Sequence, residues 1–185
     1  MGEQHKKHSR REHLNDFHLN VAGEYVYDGA LYACQSDDAK QRRSKRAVWG
    51  MAAILTVAVA AGGCIPAPGM QNCFYVLLPY LGEFLGAASV IWALAKLGMD
   101  WGTVREYNYK KSVAVLPVRT AVTAVFSLLG IVCELIFFFV NDHAGQTFFA
   151  LLYVLLKLIA LLSVLVLRAE IMQAEWDKLP KKNNF

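Results

Sequence analysis

The sequence lacks the short motifs that carry common enzyme chemistry. It contains no Walker loop, no GxSxG elbow, no HExxH and no CxxC, which are the patterns that position phosphates, a nucleophilic serine, zinc or a redox pair. The chain has only four cysteines, and none of them interleaves the N-terminal histidines in a zinc-binding spacing. We therefore expect a protein that is not an enzyme and holds no metal and no cofactor.

Charge is almost missing from four long stretches of this 185-residue chain, and 56% of all residues are apolar. About twenty residues at a helical rise of about 1.5 Å cross a hydrocarbon core about 30 Å thick. The sequence therefore predicts an all-α membrane protein, with a four-helix transmembrane bundle over residues 47–167. We expect this bundle to contact the lipid bilayer, and we expect no binding to nucleic acid. The four predicted spans are 47–65, 73–96, 120–140 and 148–167.

Basic residues are placed very unevenly along the chain. Of nineteen Lys and Arg residues, one lies inside a span, none lies in 66–72 or 141–147, and all the others lie in the N-terminal region, the 96–119 segment or the tail. Because Lys and Arg accumulate on the cytoplasmic side of a membrane, we expect a multi-pass protein of the cell membrane with both termini cytoplasmic. Residues 1–46 contain no apolar core of a cleavable signal peptide, so we expect a basic, cytoplasmic N-terminal region.

The segment 24–33, EYVYDGALYA, contains Asp28-Gly29, a pair that favours a tight hairpin turn. Such a turn pairs Tyr27 with Ala30, Val26 with Leu31 and Tyr25 with Tyr32. An isolated hairpin is marginal in water, so we expect it to pack either on the membrane interface or on the loop between the second and third spans. An unstructured segment is the alternative. At the other end of the chain, residues 168–185 are predicted to be a cytoplasmic helical tail, because nothing interrupts a helix before Pro180.

Three ionisable residues lie inside the predicted spans. Counted from the ends of the spans, Glu83 and Lys157 lie roughly 15 Å deep and Glu134 roughly 9–10 Å deep. On the third span, Thr123, Ser127 and Glu134 fall on one helical face with other small and polar residues. We therefore predict an intramembrane polar cluster of Glu83, Glu134, Lys157, Ser127 and Thr123.

This cluster has two interpretations. It is either a salt bridge that fixes how the helices pack, or a site for a proton, an ion or a small charged solute. Two carboxylates and one ammonium leave one negative charge uncompensated in a medium of low dielectric constant. We therefore expect either Glu83 or Glu134 to carry a proton at neutral pH.

Two cysteines lie close together at the predicted outer face. Cys64 ends the first span and Cys73 begins the second, so a disulfide would close a short loop in an oxidising compartment. Two free thiols that pack as small apolar side chains are the alternative.

Two functions are compatible with these features. The first is a small transport or channel component, in which the Glu/Lys cluster lines a polar path and the protein forms a homo-oligomer. The alternative is a non-catalytic accessory or scaffold subunit of a membrane complex, in which the cluster locks the bundle and the cytoplasmic segments bind a partner. These are different classes of protein, and the sequence favours neither decisively.

Overall fold

The protein is mostly helical, with four long apolar helices and a small amount of sheet. The structure, a computed structural model, describes residues 17–19, 23, 25–27, 29–98, 101–141 and 147–179. The helices are α1 (Asp38–Cys64), α2 (Pro68–Asn72), α3 (Phe74–Leu97), α4 (Glu106–Lys111), α5 (Leu116–Val140) and α6 (Thr147–Gln173). The strands are β1 (Phe17–Leu19), β2 (Tyr25–Tyr27), β3 (Leu31–Cys34), β4 (Thr103–Arg105) and β5 (Trp176–Lys178).

The predicted four-helix bundle is confirmed. Helices α1, α3, α5 and α6 are each long and apolar enough to cross a membrane. Their outward faces carry large apolar side chains such as Leu85, Leu128 and Leu162, which are more than half exposed. Water would solvate such a surface poorly, whereas lipid chains solvate it well.

The four long helices form a closed ring in cross-section. Helix α1 packs on α6, α6 on α5, α5 on α3, and α3 more lightly on α1. Helices α3 and α6 therefore lie on one diagonal of the bundle, and α1 and α5 on the other. We call the end where α1 begins and α6 ends the termini end, and the opposite end, where α2 lies, the loop end.

The first helix begins earlier than the apolar pattern indicates. It begins at Asp38, in a segment that looks like a polar linker before the span. The residues from Gln41 to Arg46 are good helix formers without a Gly or Pro, so the helix extends past its apolar part. Its first two turns therefore project from the termini end as a polar extension of the span.

The predicted pairing within residues 24–33 is wrong. Both halves form strands, but β2 pairs with β1, and β3 is the middle strand of a sheet with the order β4-β3-β5. In that sheet Tyr32 lies opposite Val104 on one side and Lys178 on the other. Asp28 of the predicted turn lies outside the described residues. Only the second half of this segment packs on the loop between the second and third spans, because β3 pairs with β4 of that loop.

The predicted helical tail is also only partly right. Helix α6 continues past the apolar span to Gln173, but residues 176–178 form strand β5 instead of further helical turns. The β3 edge provides backbone partners that a helix would leave unused; the Gln35 N–H donates to the Glu175 carbonyl at 3.1 Å, and the Leu179 N–H to the Leu31 carbonyl at 2.8 Å. A tertiary contact thus overrides the local helical preference.

Glycines allow a close contact between α3 and α5. A Cβ added at Gly86 would lie 3.2 Å from Cβ and 3.3 Å from Cα of Thr123 on α5, and one added at Gly82 would meet the Phe126 ring. The Gly82-x-x-x-Gly86 motif therefore joins α3 to α5 inside this chain, as small-residue motifs do in membranes. Gly50 on α1 has nothing within 4 Å of such a Cβ.

We expect Gly86→Ala to destabilise the bundle by about 1–3 kcal/mol, because the added methyl group would overpack against the Thr123 side chain and the α5 backbone beside it. Gly50→Ala is the matched control and should be neutral or stabilising by up to about 1 kcal/mol from helix propensity. The measurement is reversible unfolding in mixed detergent micelles. Equal stability of the two variants would contradict the close contact.

Candidate functional site

The most polar part of the bundle interior is an ion pair between two diagonally opposite helices. Lys157 of α6 donates directly to a carboxylate oxygen of Glu83 on α3. The two side chains are 2% and 0% exposed. Each residue lies near the middle of its helix, so the pair crosses the centre of the bundle where the dielectric constant is lowest.

The third span contributes a hydroxyl to this pair. Ser127 of α5 donates to the other Glu83 oxygen at 2.6 Å, and its hydroxyl also lies 3.1 Å from the Thr123 carbonyl of the preceding turn. Thr123, the other predicted hydroxyl, instead donates to the Arg119 carbonyl at 2.8 Å and packs against Gly86. The structure thus brings Glu83, Lys157 and Ser127 into contact, while Thr123 supports the helix contact next to them.

Two tyrosines enclose the lysine head group. The Lys157 Nζ atom lies 4.6 Å from the centroid of the Tyr80 ring and 5.2 Å from that of Tyr153, within the range of cation–π attraction. Tyr80 is absent from the predicted cluster. The sequence contains a signal for this position, because residues three or four apart share a helical face. Tyr80 lies one turn before Glu83, and Tyr153 lies one turn before Lys157.

Glu134, the second predicted carboxylate, lies apart from the ion pair. It is fully buried on α5, and neither of its oxygens has a hydrogen-bond partner among the described residues. Its carboxyl group packs against Gly69 of α2, whose N–H faces it without the geometry of a full hydrogen bond. Among the described residues, Glu134 therefore makes no hydrogen bond to Lys157, whose ion pair is with Glu83.

Layers of side chains separate these groups from both ends of the bundle. Toward the termini end, Leu55, Ala87 and Val164 belong to a packed apolar cluster, and a larger apolar cluster follows it. Toward the loop end, the Tyr153 ring is buried and the Glu134 carboxyl group packs on Gly69 of α2. Both side chains of the ion pair are almost completely buried.

The cysteines of the predicted outer disulfide, Cys64 and Cys73, are both free thiols, as are the remaining two cysteines. Cys64 is exposed and Cys73 is half-buried at the loop end. The structure therefore contains separate thiols, but the exposed Cys64 is not packed as a small apolar side chain, as that alternative expected.

Comparisons with known proteins do not indicate a family for this chain. The chain matches no protein family model, and no curated protein or solved structure is similar enough to count as a match. The function must therefore be inferred from the residues themselves.

We expect Glu83→Leu to lower the free energy of unfolding by about 3–5 kcal/mol, because it leaves Lys157 buried without a counter-charge. The double variant Glu83→Leu/Lys157→Leu should recover most of that loss, since it removes both charges together. Unfolding of the single and double variants in mixed micelles measures the coupling between the two sites. Additive losses in the double variant would show that the pair contributes nothing as a pair.

The structure also indicates which carboxyl group carries the expected proton. Glu83 has a cation and a hydroxyl as partners, whereas Glu134 has neither, so Glu134 should be the neutral group at pH 7. Infrared spectroscopy should detect a protonated-carboxyl band that Glu134→Gln removes and Glu83→Gln retains. A band that disappears with Glu83→Gln instead would reverse this assignment.

Proposed function

We propose that this protein is a non-catalytic accessory or scaffold subunit of a membrane complex. The four apolar helices are compatible with an integral membrane protein. The observation that carries the proposal is the closed ion pair of Glu83 and Lys157, which is buried and has a hydroxyl donor and two aromatic rings around it. A pair with its contacts satisfied in this way fixes the relative positions of three helices and offers a solute no exposed group.

The surface features suited to a partner lie at the termini end. A three-stranded sheet there combines segments from the N-terminal region, the α3–α5 connection and the tail. Tyr32 of β3 stacks on Tyr109 of α4 with ring centroids 4.1 Å apart, which ties this short helix to the sheet. We define the head as strands β3, β4 and β5 together with α4; it is an ordered platform on the helix bundle.

The outer surface of α4 is charged and aromatic. Lys111 donates to the Tyr107 hydroxyl at 2.7 Å and lies over its ring, while Lys110 pairs with Glu106 at 2.6 Å. The hydrogen-bonded ion pair with Lys110 holds the pKa of Glu106 below its usual range. Tyr107 is 37% exposed, and exposed aromatic side chains are enriched at surfaces that bind another protein.

We also propose that the protein lies in the cell membrane with its termini and head on the cytoplasmic side. The support is the distribution of Lys and Arg, which are missing from the two short connections at the loop end and abundant around the head. In this orientation the head meets cytoplasmic partners, and the free thiols of Cys64 and Cys73 lie near the outer face.

One observation favours the other candidate function, a small transport or channel component. Glu134 is a buried carboxyl group without a hydrogen-bond partner among the described residues, and such groups mark proton or ion paths in membranes. A path through this protein would require the layers around the ion pair to open, or a homo-oligomer to create a new interface beside Glu134.

Two measurements separate these functions. In proteoliposomes, the scaffold proposal predicts proton permeability equal to that of protein-free vesicles for both the wild type and Glu134→Gln. In cells, a photo-reactive residue at Asn108, which is exposed on α4, should cross-link to one discrete protein. The matched control is the same photo-reactive residue at Leu128, which faces outward from the middle of α5 and should meet lipid.

Proton flux that is at least about tenfold above background and lost in Glu134→Gln would replace the scaffold proposal with transport. The same set of cross-linked proteins from Asn108 and Leu128 would remove the head as the binding surface. Full-length, monodisperse protein is required in both assays, so that loss of folding is not read as loss of function.

A further inference from the structure

A partly open cavity of about 250 Å³, lined by both polar and apolar surface, lies between the start of α1 and the end of α6. It is separate from the ion pair and plays no part in the proposed function. Its walls come from Ser36 and Lys40 before and at the start of α1, Glu170 near the end of α6, and Trp101 before β4. The cavity therefore lies where three chain segments meet at the termini end.

Several charged and hydrogen-bonding side chains line the cavity. Lys40 and Arg43 contribute two positive charges, while Glu170 contributes one negative charge and accepts a hydrogen bond from Ser44 at 2.9 Å. The lining has a net positive charge, and most of its polar groups donate hydrogen bonds. A ligand for this cavity needs several acceptor oxygens and negative charge.

Two further donors in this wall have no acceptor. The Trp101 side chain is 5% exposed, and its indole N–H is buried without a hydrogen-bond partner among the described residues. The Gln41 amide nitrogen is likewise buried without a hydrogen-bond partner among the described residues. Both residues line the cavity. Buried donors are satisfied in nearly all native proteins, so these two donors suit an acceptor that enters the cavity.

The position of the cavity along the helices indicates which kind of molecule can bring an acceptor to these donors. Lys40 to Ser44 precede the first apolar span, which begins near residue 47, by a distance of roughly 5–10 Å along α1. The polar layer of a bilayer is about 5–8 Å thick on each side of the hydrocarbon core. The cavity thus lies level with lipid headgroups.

We propose that this cavity binds a phosphate ester, and that its source is a phospholipid headgroup. Arg43 and Lys40 bind the phosphate oxygens, since guanidinium and ammonium groups are the common phosphate ligands. Trp101 and Gln41 supply the additional donors after a small side-chain adjustment. Glu170 accepts a hydrogen bond from the hydroxyl or amine of the headgroup, which explains a carboxylate in a cavity for an anion.

Cys34 makes the proposal measurable, because this free thiol lines the same cavity. The full chain in detergent micelles is treated with N-ethylmaleimide, and the labelling rate of each cysteine is followed by peptide mass spectrometry. One arm adds phosphatidylglycerol, and a second arm adds glycerol phosphate without acyl chains. We expect phosphatidylglycerol to slow labelling of Cys34 at least about fivefold and to leave Cys64, exposed at the loop end, unchanged.

Charge variants test whether the protection of Cys34 depends on the cavity or on the positive charge of the surrounding surface. Arg43→Gln should abolish the protection of Cys34, whereas Arg42→Gln is the matched control, because Arg42 is exposed, adjacent in sequence and absent from the cavity wall. Lys40→Gln provides a second cavity variant should Arg43→Gln reduce the yield of folded protein. Protection in the glycerol phosphate arm alone would keep the phosphate site and overturn the lipid as its source. No protection in either arm, or equal loss in Arg43→Gln and Arg42→Gln, would overturn the site.

Discussion

The arrangement of the bundle depends on the cost of a lone charge in a low-dielectric interior. An ammonium near the centre of a helix such as α6 can insert into a membrane, since the many leucines around it offset its transfer cost. Once the helices assemble, Lys157 must find a partner or be hydrated. Glu83 on the opposite diagonal is that partner, and this pairing fixes the rotation of α3 and α6 about their axes. The faces that carry Ser127, Tyr80 and Tyr153 then follow from that rotation.

The ion pair gives specificity that apolar packing in lipid does not. The outward and inward faces of a membrane helix are both apolar, so hydrophobicity alone distinguishes them weakly. Here α3 carries its small and charged residues on the face toward α5, where Gly86 meets Thr123 and Glu83 meets Ser127. Close backbone approach and hydrogen bonding act at the same contact, so a rotated α3 would lose both.

The sequence predicts the membrane part of this protein well and the head poorly. The lengths of the apolar stretches predict the spans, and the positions of the charged residues within the spans predict their depth. Both predictions depend only on the helical rise per residue. The same reasoning placed Ser127 beside the carboxylates. It could not separate Glu83 from Glu134, since their partners depend on which helices are diagonal and on Gly69 of α2, a short helix in a connection. Strand β3 was mispaired because its partners lie far away in sequence, at residues 103–105 and 176–178.

The order of strands in the head has a consequence for biogenesis. The middle strand, β3, is synthesised before any membrane helix, yet its neighbours β4 and β5 follow the second and the fourth long helix. A nascent chain therefore carries β3 with both edges unpaired until α3 has inserted, and with one edge unpaired until α6 has inserted. The sheet can be completed only after the last long helix has been synthesised, and until then the β3 edge exposes backbone groups that can pair with another chain.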